Sequence, residues 1–367
     1  MAENKILSRL VYSFFKKLFE VKEDKSLKID TPHKIIVIRQ HNQLGDLLTG
    51  VSVLRALKEN YPASHLTLVA SPFNYPGLIK NKFIDKLFVF DKKKLFDPVY
   101  LIRFLKLLRE PYDLAIVPVT VSISFTSNII ARLSNSKTRI GPKSLNGKGN
   151  KSVFLFDRRV EIDWQSHPDS NVAERSLDII RPFGINTTNY RSEITSDEND
   201  KKVADDFISS IKLKLNENLI GFHVGAGKIP NRWSLKKYLS LIEKLKKNFE
   251  VKCYLTGSSS DKEEINYFKN NVRVEIGYFI DKKIPEVAAL ISKSDLFISN
   301  DTGIMHVAGT TETPQISIFG PTNPFNWAPI GTNKYFIRKS DLIDDVSVDD
   351  VYSLCTTILS KKKKCKK

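Results

Sequence analysis

The feature that most constrains this chain is the alternation of short apolar runs with longer stretches of helical period. In the first half, KIIVIR (Lys34–Arg39), HLTLVA (His65–Ala70) and KLFVF (Lys86–Phe90) have the length and residue types of buried strands. Between them, Leu47–Asn60 and Pro98–Glu110 carry apolar residues at helical spacing. This alternation is typical of βαβ units, which build a parallel, doubly wound sheet.

The alternation stops in a polar stretch around residues 186–200 and then begins again. The predicted strands of the second series are NLIGFHV, VKCYLTG, VRVEIG, DLFISN and QISIFG, with helices such as Trp233–Asn248 between them. The chain is therefore predicted to be an α/β protein with two Rossmann-like doubly wound domains. Two such domains joined by a linker leave a cleft between the carboxyl ends of their sheets.

The 367 residues are enough for two domains of ordinary size. The predicted segments are an amphipathic N-terminal helix region (1–30), a first Rossmann-like domain (31–190), a linker (191–216), a second Rossmann-like domain (217–345), and a C-terminal helix with a polybasic tail (346–367).

The formal net charge of +17 is concentrated in one part of the chain. Residues 1–150 carry a net +13, residues 201–360 only +2, and the terminal KKKKCKK a further +6. A basic surface indicates nucleic acid, anionic lipid headgroups or a phosphorylated acceptor as partner, while solubility alone is the simpler interpretation. Because no recognised nucleic-acid-binding module occurs, we do not expect a nucleic-acid partner.

The two ends of the chain are candidates for contact with a membrane surface. The apolar face of the predicted N-terminal helix consists of Ile6, Leu7, Leu10, Val11, Phe14, Leu18 and Val21. Such a basic helix lies either in a membrane interface or against the body of the protein, and the lysine tail is either a second anchor or a solvated end. With no apolar run of spanning length and no CxxC pair among three cysteines, we expect a cytoplasmic protein.

The first candidate site is the segment RQHNQLGDLLTG (Arg39–Gly50), which follows a predicted strand. Asp46 would lie at the carboxyl end of that strand, where a general base is useful. The alternative interpretation is a helix N-cap, a frequent role for aspartate.

The second candidate site is the loop GAGK, which follows a predicted strand in the second half. Gly225, Ala226 and Gly227 allow close approach of the backbone, and Lys228 and Arg232 supply cations, a combination that suits a phosphate group. The loop matches neither GxxxxGK[ST] nor GxGxxG, so an ordinary strand–helix turn is the alternative.

The third candidate site is SNDTGIMH, where a buried strand runs into a helix. Backbone N–H groups of Thr302 and Gly303 suit diphosphate oxygens, and Asp301 can accept hydrogen bonds from sugar hydroxyls. The alternatives are a helix cap for Asp301 or Thr302 and a structural core position for His306. The histidines are dispersed, so we expect no metal site.

Together and in this order, the motifs resemble glycosyltransferase family 9, the family of lipopolysaccharide heptosyltransferases. The match runs from Lys34 to about Arg338 and includes YDLAIVPV and the RIG of Thr138–Gly141. The resemblance implies the GT-B architecture, with two Rossmann-like domains facing a central cleft. It also implies an acceptor on the N-terminal domain, a nucleotide-sugar on the C-terminal domain, an inverting mechanism, and no metal or other cofactor.

The resemblance also implies roles for individual residues. Asp46 is similar to the general base that deprotonates the acceptor hydroxyl. The residues implied for the donor phosphates are Gly225, Ala226, Gly227, Lys228, Arg232, Thr302 and Gly303, and those for its sugar or nucleotide are Asp301, His306 and Asp261. The implied partners are ADP-heptose as donor, an anionic lipid-linked saccharide as acceptor, and the cytoplasmic face of the inner membrane.

The Gly-Ala-Gly loop departs from the family pattern. Heptosyltransferases often carry a Thr-Thr pair at this place, where this chain has Gly225-Ala226-Gly227. A family member that uses another nucleotide-hexose as its donor therefore remains an alternative. A nucleotide-sugar epimerase of the same fold is a further alternative.

Overall fold

The protein is described by a computed structural model that covers residues 13–40 and 43–365, with side chains through residue 360. It divides into two compact units. Unit 1 comprises Met1–Tyr75 and Lys82–Tyr190, and unit 2 comprises Pro76–Asn81 and Arg191–Lys367. Each unit is built around one sheet.

The sheet of unit 1 is doubly wound. Its strands are β1 (Lys34–Arg39), β2 (His65–Ala70), β3 (Lys86–Val89), β4 (Tyr112–Ile116), β5 (Ser136–Leu145), β6 (Lys148–Gly149) and β7 (Arg158–Ile162). The order is β3-β2-β1-β4-β5-β6, with β7 also paired to β5. All pairs are parallel except β5 with β6. Every residue of β1 after Lys34 is buried, as expected for a central parallel strand covered on both faces.

Helices cover the two faces of this sheet. They are α1 (residues 13–19), α2 (Leu44–Thr49), α3 (Val51–Asn60), α4 (Pro98–Arg109), α5 (Phe125–Leu133) and α6 (Val172–Arg175). Helix α4 begins at an Asp97 N-cap followed by Pro98, which supplies the fixed backbone angle that suits a first helical turn. Phe104 and Leu107 of α4 and Ile130 of α5 pack into one core on the same face of the sheet.

The sheet of unit 2 is parallel throughout. Its strands are β8 (Asn218–His223), β9 (Val251–Gly257), β10 (Gly277–Ile280), β11 (Leu296–Asn300), β12 (Gln315–Ile318) and β13 (Lys334–Ile337). Their order is β10-β9-β8-β11-β12-β13. Its helices are α7 (Glu198–Ser210), α8 (Leu235–Asn248), α9 (Lys262–Asn271), α10 (Ile284–Ser292), α11 (Gly303–Gly309), α12 (Pro324–Trp327) and α13 (Val348–Cys365).

The strand order of both sheets reverses at one point. In unit 1, the chain moves outward from β1 to β3 and then crosses back to β4, beside β1. Unit 2 repeats this path, and the reversal lies between β8 and β11. At such a switch point the following connections leave toward opposite faces, so a crevice opens at the carboxyl ends of the two strands.

The structure confirms the predicted fold class and most of the predicted strands. One strand was placed wrongly: VRVEIG is not a strand up to Ile276, and β10 begins at Gly277. The segment predicted as a linker, 191–216, contains α7, which begins with a capping box at Asp197. Phe207 of α7 packs 4.9 Å from the ring of Phe279, so α7 belongs to unit 2. The sequence shows helical period from Val203 onward, but the polar composition of the first turn concealed where this helix begins.

Helix α1 contacts the rest of unit 1 through Phe15 and Phe19. The ring of Phe15 lies 6.2 Å from those of Phe125 and Phe154, and Arg132 donates a hydrogen bond to the carbonyl of Phe19. Phe14 and Leu18, which belong to the predicted apolar face, are exposed instead. The remaining residues of that face before Ser13 lie outside the described residues, as do the side chains of the lysine tail.

No helix in the described part of the chain combines the length and the apolar character needed to cross a bilayer.

The packing of β8 generates a prediction about stability. A Cβ atom at Gly221 would lie 2.4 Å from the Tyr254 ring and 2.6 Å from that of Phe297, both fully buried. We expect Gly221→Ala to destabilise the protein by about 1–3 kcal/mol, because the packed rings have no space to move into. Thermal unfolding measures this, with Gly149→Ala as control, since a Cβ there meets no atom within 4 Å. Equal melting temperatures for the two variants would contradict the packing.

Candidate active site

Most of the predicted site residues lie at the two switch points. Arg39, at the end of β1, contacts both α2, which carries Asp46, and the loop after β4 in unit 1. In unit 2, the Gly225–Lys228 loop follows β8, and Asp301 to Gly303 follow β11. Asp261 follows β9, the neighbour of β8. The sequence motifs thus coincide with the crevices that the strand order opens.

Asp46 is not a helix cap. The N-cap of α2 is Gln43, and Asp46 lies in the first helical turn, where a carboxylate is favoured by the helix dipole. The alternative interpretation of Asp46 as N-cap is therefore wrong. The residue is only 4 % exposed.

Arg39 holds the helix that carries Asp46. Its guanidinium donates to the carbonyls of Pro118, at 3.1 Å, and Asp46, at 2.9 Å, and so joins α2 to the loop after β4. Burial lowers the pKa of Arg39 to about 10, and the Asp46 charge opposes this shift. Sequence reasoning missed Arg39. The signal available was a basic residue directly after the apolar run IIVI of β1.

A pocket of about 320 Å³ lies beside the carboxyl end of β1, within unit 1. Gln40, Ser71 and Asp91 line it from the carboxyl ends of β1, β2 and β3. Lys92 and Lys93 add two positive charges to its rim. The pocket therefore suits a polar, anionic ligand.

The connection between β8 and α8, which contains Gly225–Lys228, is anchored at both ends by Asn300. Asn300 is fully buried, and its amide nitrogen donates to the carbonyl of Val224 at 2.8 Å. Its amide oxygen accepts from the Trp233 backbone N–H at 3.2 Å and from the Tyr238 hydroxyl at 3.0 Å. Asn300 thus joins both ends of this connection to β11. Sequence reasoning missed it, although it directly precedes the predicted Asp301.

Asp261 lies against the glycine loop. A Cβ at Gly225 would come within 2.2 Å of Asp261 Oδ1, so only glycine fits there. The other carboxylate oxygen of Asp261 accepts from the Ser258 backbone N–H at 2.9 Å. Near them, burial lowers the pKa of His223, so its imidazole is neutral at pH 7. The contact with Gly225 places Asp261 in the same crevice as the loop.

Arg232 is turned toward the loop. Its Nε donates to the carbonyl of Ala226 at 2.8 Å, and its Nη1 forms a 2.7 Å ion pair with Glu264. The Glu264 side chain is nearly buried, whereas the Arg232 side chain is 38 % exposed. Glu264 therefore orients a cation that is still partly exposed and keeps further N–H donors. By contrast, Lys228 is exposed.

Asp301 is held beside the same loop. Its Oδ2 accepts from the Asn231 side chain at 2.9 Å. Burial raises the pKa of Asp301, while a hydrogen bond with Thr322 and the charge of Lys228 act to lower it. The Asp301 carboxylate is thus positioned by neutral partners rather than by an ion pair. It is also not the helix cap, since the N-cap of α11 is Thr302, without a side-chain cap hydrogen bond.

His306 is buried on α11, with its ring 6.3 Å from that of Trp327. Desolvation lowers its pKa to about 4, so the imidazole is neutral at physiological pH. A neutral His306 cannot add positive charge to the site. Helix α11 has only seven residues, so its dipole is a weak source of positive potential.

No group of three or more metal-ligating side chains is present among the residues that the structure describes.

Residues 101–348 match the family model of glycosyltransferase family 9 (heptosyltransferase). This is more than half of the chain and includes the whole unit 2 site. The chain belongs to glycosyltransferase family 9. It is therefore a glycosyltransferase, and its two doubly wound sheets are those of the GT-B class.

Curated relatives support the assignment. The glycosyltransferase is 24% identical over 302 residues to lipopolysaccharide heptosyltransferase 3 of Escherichia coli, covering 79% of this chain and 84% of that one. It is 27% identical over 320 residues to lipooligosaccharide heptosyltransferase 2 of Haemophilus ducreyi, covering 84% of this chain and 89% of that one.

Two solved structures share the fold of the glycosyltransferase. A glycosyl transferase family 9 protein from Veillonella parvula gives a TM-score of 0.78 at 20% identity, covering 92% of this chain and 100% of that one. ADP-heptose lipopolysaccharide heptosyltransferase II of E. coli gives 0.74 at 19% identity, covering 90% and 99%.

The buried His306 generates a prediction about pH. Its folded pKa of about 4 lies below the ordinary value of 6.5, so the unfolded chain binds a proton that the folded chain does not. Stability is therefore lost as pH falls from about 6.5 toward 4. We expect His306→Gln to reduce this loss by about 2 kcal/mol near pH 5.

Urea denaturation at pH 7.5 and 5 measures the difference, with the exposed His65→Gln as control. An unchanged pH dependence in His306→Gln would show that the pKa of His306 is the same in the folded and the unfolded chain.

Proposed function

We propose that the enzyme transfers a heptose from ADP-heptose onto a lipopolysaccharide core or a related cell-surface glycan. The transfer inverts the anomeric configuration and needs no metal ion, and the enzyme acts at the cytoplasmic face of the inner membrane. Support for the donor and acceptor comes from the relatives and structural neighbours, several of which are named for these substrates.

The observation that carries the proposal is the arrangement at the unit 2 switch point. A glycine loop, the oriented cation Arg232 and the two carboxylates Asp261 and Asp301 all lie at the ends of β8, β9 and β11. The loop and Arg232 suit a diphosphate, whereas carboxylates suit hydroxyl groups. A nucleotide-sugar contains both kinds of group. We therefore assign the donor to unit 2, with its diphosphate at the loop.

The proposed reaction uses the carboxylate of Asp46 as the base. Asp46 takes the proton of the acceptor hydroxyl while the hydroxyl oxygen attacks the anomeric carbon of the donor. The bond from that carbon to the diphosphate oxygen breaks, and the nucleoside diphosphate leaves on the opposite side. Attack and departure on opposite faces invert the anomeric centre. The hydrogen bond from Arg39 to the Asp46 carbonyl supports this role, because it fixes the helix turn that carries the carboxylate.

Negative charge accumulates on the leaving diphosphate during this step. Arg232 is suited to stabilise it, because Glu264 and the Ala226 carbonyl fix the guanidinium before the reaction begins. Lys228 and the backbone N–H groups of Gly227, Thr302 and Gly303 are proposed to assist. His306 is neutral, so we assign it to contact with the donor sugar or nucleotide rather than to charge stabilisation.

The acceptor is assigned to unit 1. Its pocket beside β1 to β3 carries Lys92 and Lys93, and residues 1–150 have a net charge of +13. Both features favour an anionic saccharide acceptor. An epimerase has no acceptor to bind, so this pocket favours the transferase over that alternative. Thermal stabilisation by ADP-heptose, compared with other nucleotide-hexoses, tests the identity of the donor.

Replacement of the base tests the mechanism. We expect Asp46→Asn to lower kcat by at least about 100-fold, because the amide cannot accept the acceptor proton. The dissociation constant for the donor should change little, because the donor is assigned to unit 2. Release of ADP on addition of acceptor measures kcat, and calorimetry measures donor binding. The control is Asp30→Asn, an exposed aspartate in unit 1. Normal turnover by Asp46→Asn would remove Asp46 from the mechanism.

Replacement of Arg232 tests the diphosphate site. We expect Arg232→Met to weaken donor binding about tenfold or more and to lower kcat as well, because a charge-assisted contact is lost. Arg232→Lys retains a charge beside Glu264 and should recover part of both. Circular dichroism checks the fold of each variant, and Arg273→Met, on the surface of unit 2, is the control. Unchanged donor affinity in Arg232→Met would place the diphosphate elsewhere.

A further inference from the structure

Helix α4 has a mostly exposed apolar row on its outer side. Its inner face is satisfied, because Phe104, Leu107 and Leu108 are buried in the core. On the outer side, Phe96 just before the helix is 96% exposed, and Val99 and Ile102 are 60% and 65% exposed. These three residues recur every third position and therefore form one row along the helix. We call them the α4 row.

Cations without protein partners surround the α4 row. Lys94 precedes it, and Arg103 and Lys106 flank it on the helix; all three are exposed. No ion pair joins them, or Lys92 and Lys93, to any described residue. The nearby acidic groups are already engaged: Asp97 caps α4, and Glu110 pairs with Lys86. The surface therefore combines exposed apolar side chains with an excess of positive charge.

Other exposed apolar side chains lie on the same side of unit 1. Helix α5 contributes Ile130 to the core that α4 closes, so both helices cover one face of the sheet. Helix α1 packs on α5 through Phe15 and Phe125, and it leaves Phe14 and Leu18 exposed. The exposed apolar residues of α1, α4 and α5 thus lie on helices of a single face, while Leu27, Phe73 and Val121 are exposed in loops of unit 1.

We propose that this face docks on an anionic phospholipid bilayer, with the α4 row inserted among the lipid headgroups. A bilayer matches both properties of the surface. Isolated apolar side chains insert into the interface, and unpaired lysine and arginine side chains meet phosphate groups. A protein partner would instead have to present an acidic surface with a matching apolar groove.

The position of the surface gives it a purpose, if the proposed function holds. Lys92 and Lys93 belong both to the cations of this surface and to the rim of the 320 Å³ pocket. Docking through the α4 row thus brings the pocket close to the lipid headgroups. A lipid-linked saccharide then reaches the pocket without leaving the bilayer.

Co-sedimentation of the full-length protein with lipid vesicles tests the proposal. We expect binding to vesicles of phosphatidylcholine and phosphatidylglycerol in equal parts, and at least tenfold weaker binding to pure phosphatidylcholine. The triple variant Phe96→Ser, Val99→Ser, Ile102→Ser should bind the mixed vesicles at least tenfold less. The double variant Arg103→Gln, Lys106→Gln should bind them several-fold less and lose part of the salt dependence.

Matched controls carry the same changes elsewhere. Leu215→Ser with Leu342→Ser removes exposed apolar residues of unit 2, and Lys236→Gln with Lys247→Gln removes exposed cations. Both should bind vesicles like the wild type. Wild-type binding by the triple variant would overturn the proposal. So would a loss of binding only on neutralising the lysine tail, or a failure of the wild type to distinguish the two lipids.

The proposal and the proposed function can fail separately, because vesicle binding is measured without donor or acceptor. With a delipidated, water-soluble acceptor, the triple variant should release ADP at the wild-type rate. With the lipid-linked form of this acceptor embedded in vesicles, the rate of the triple variant should fall at least tenfold. Equal rates on the embedded acceptor would overturn the docking role of the α4 row and leave the transferase assignment intact.

Discussion

Reversal of strand order is the constraint on which the rest of this structure depends. Each sheet is built outward in one direction and then crosses back, so that β1 neighbours β4 and β8 neighbours β11. At these two places the carboxyl ends of adjacent strands are left uncovered, and polar loops can replace helix packing. The three candidate site motifs follow β1, β8 and β11, and Asp261 follows the neighbouring β9.

Buried polar side chains then convert each crevice into a fixed geometry. Arg39 joins α2 to the loop after β4 in unit 1, and Asn300 joins both ends of the connection after β8 to β11 in unit 2. Both residues are buried, so breaking these hydrogen bonds would be costly. Neither residue needs to touch a substrate. Their contribution is that the more exposed groups, such as Arg232, are held before a ligand arrives.

The glycosyltransferase distributes its charge according to the two tasks we assign to its units. Unit 1 is strongly basic, with lysines at its pocket and around the α4 row, and it is proposed to meet an anionic acceptor at a lipid surface. Unit 2 carries oriented pairs such as Arg232 with Glu264 rather than a large net charge. A nucleotide-sugar is a small soluble ligand, so precise placement of a few groups suffices for its recognition.

The sequence by itself determined the fold class, the family and the position of each motif, because strand and helix periods are local and the motifs follow their strands directly. It also predicted helix α4. Only the tertiary structure showed that Asp261 touches Gly225, that Arg39 and Asn300 hold the loops, and that α7 belongs to unit 2. It also showed that Phe15, not Phe14, packs on the body. These outcomes depend on contacts between residues far apart in the chain, which no local pattern encodes.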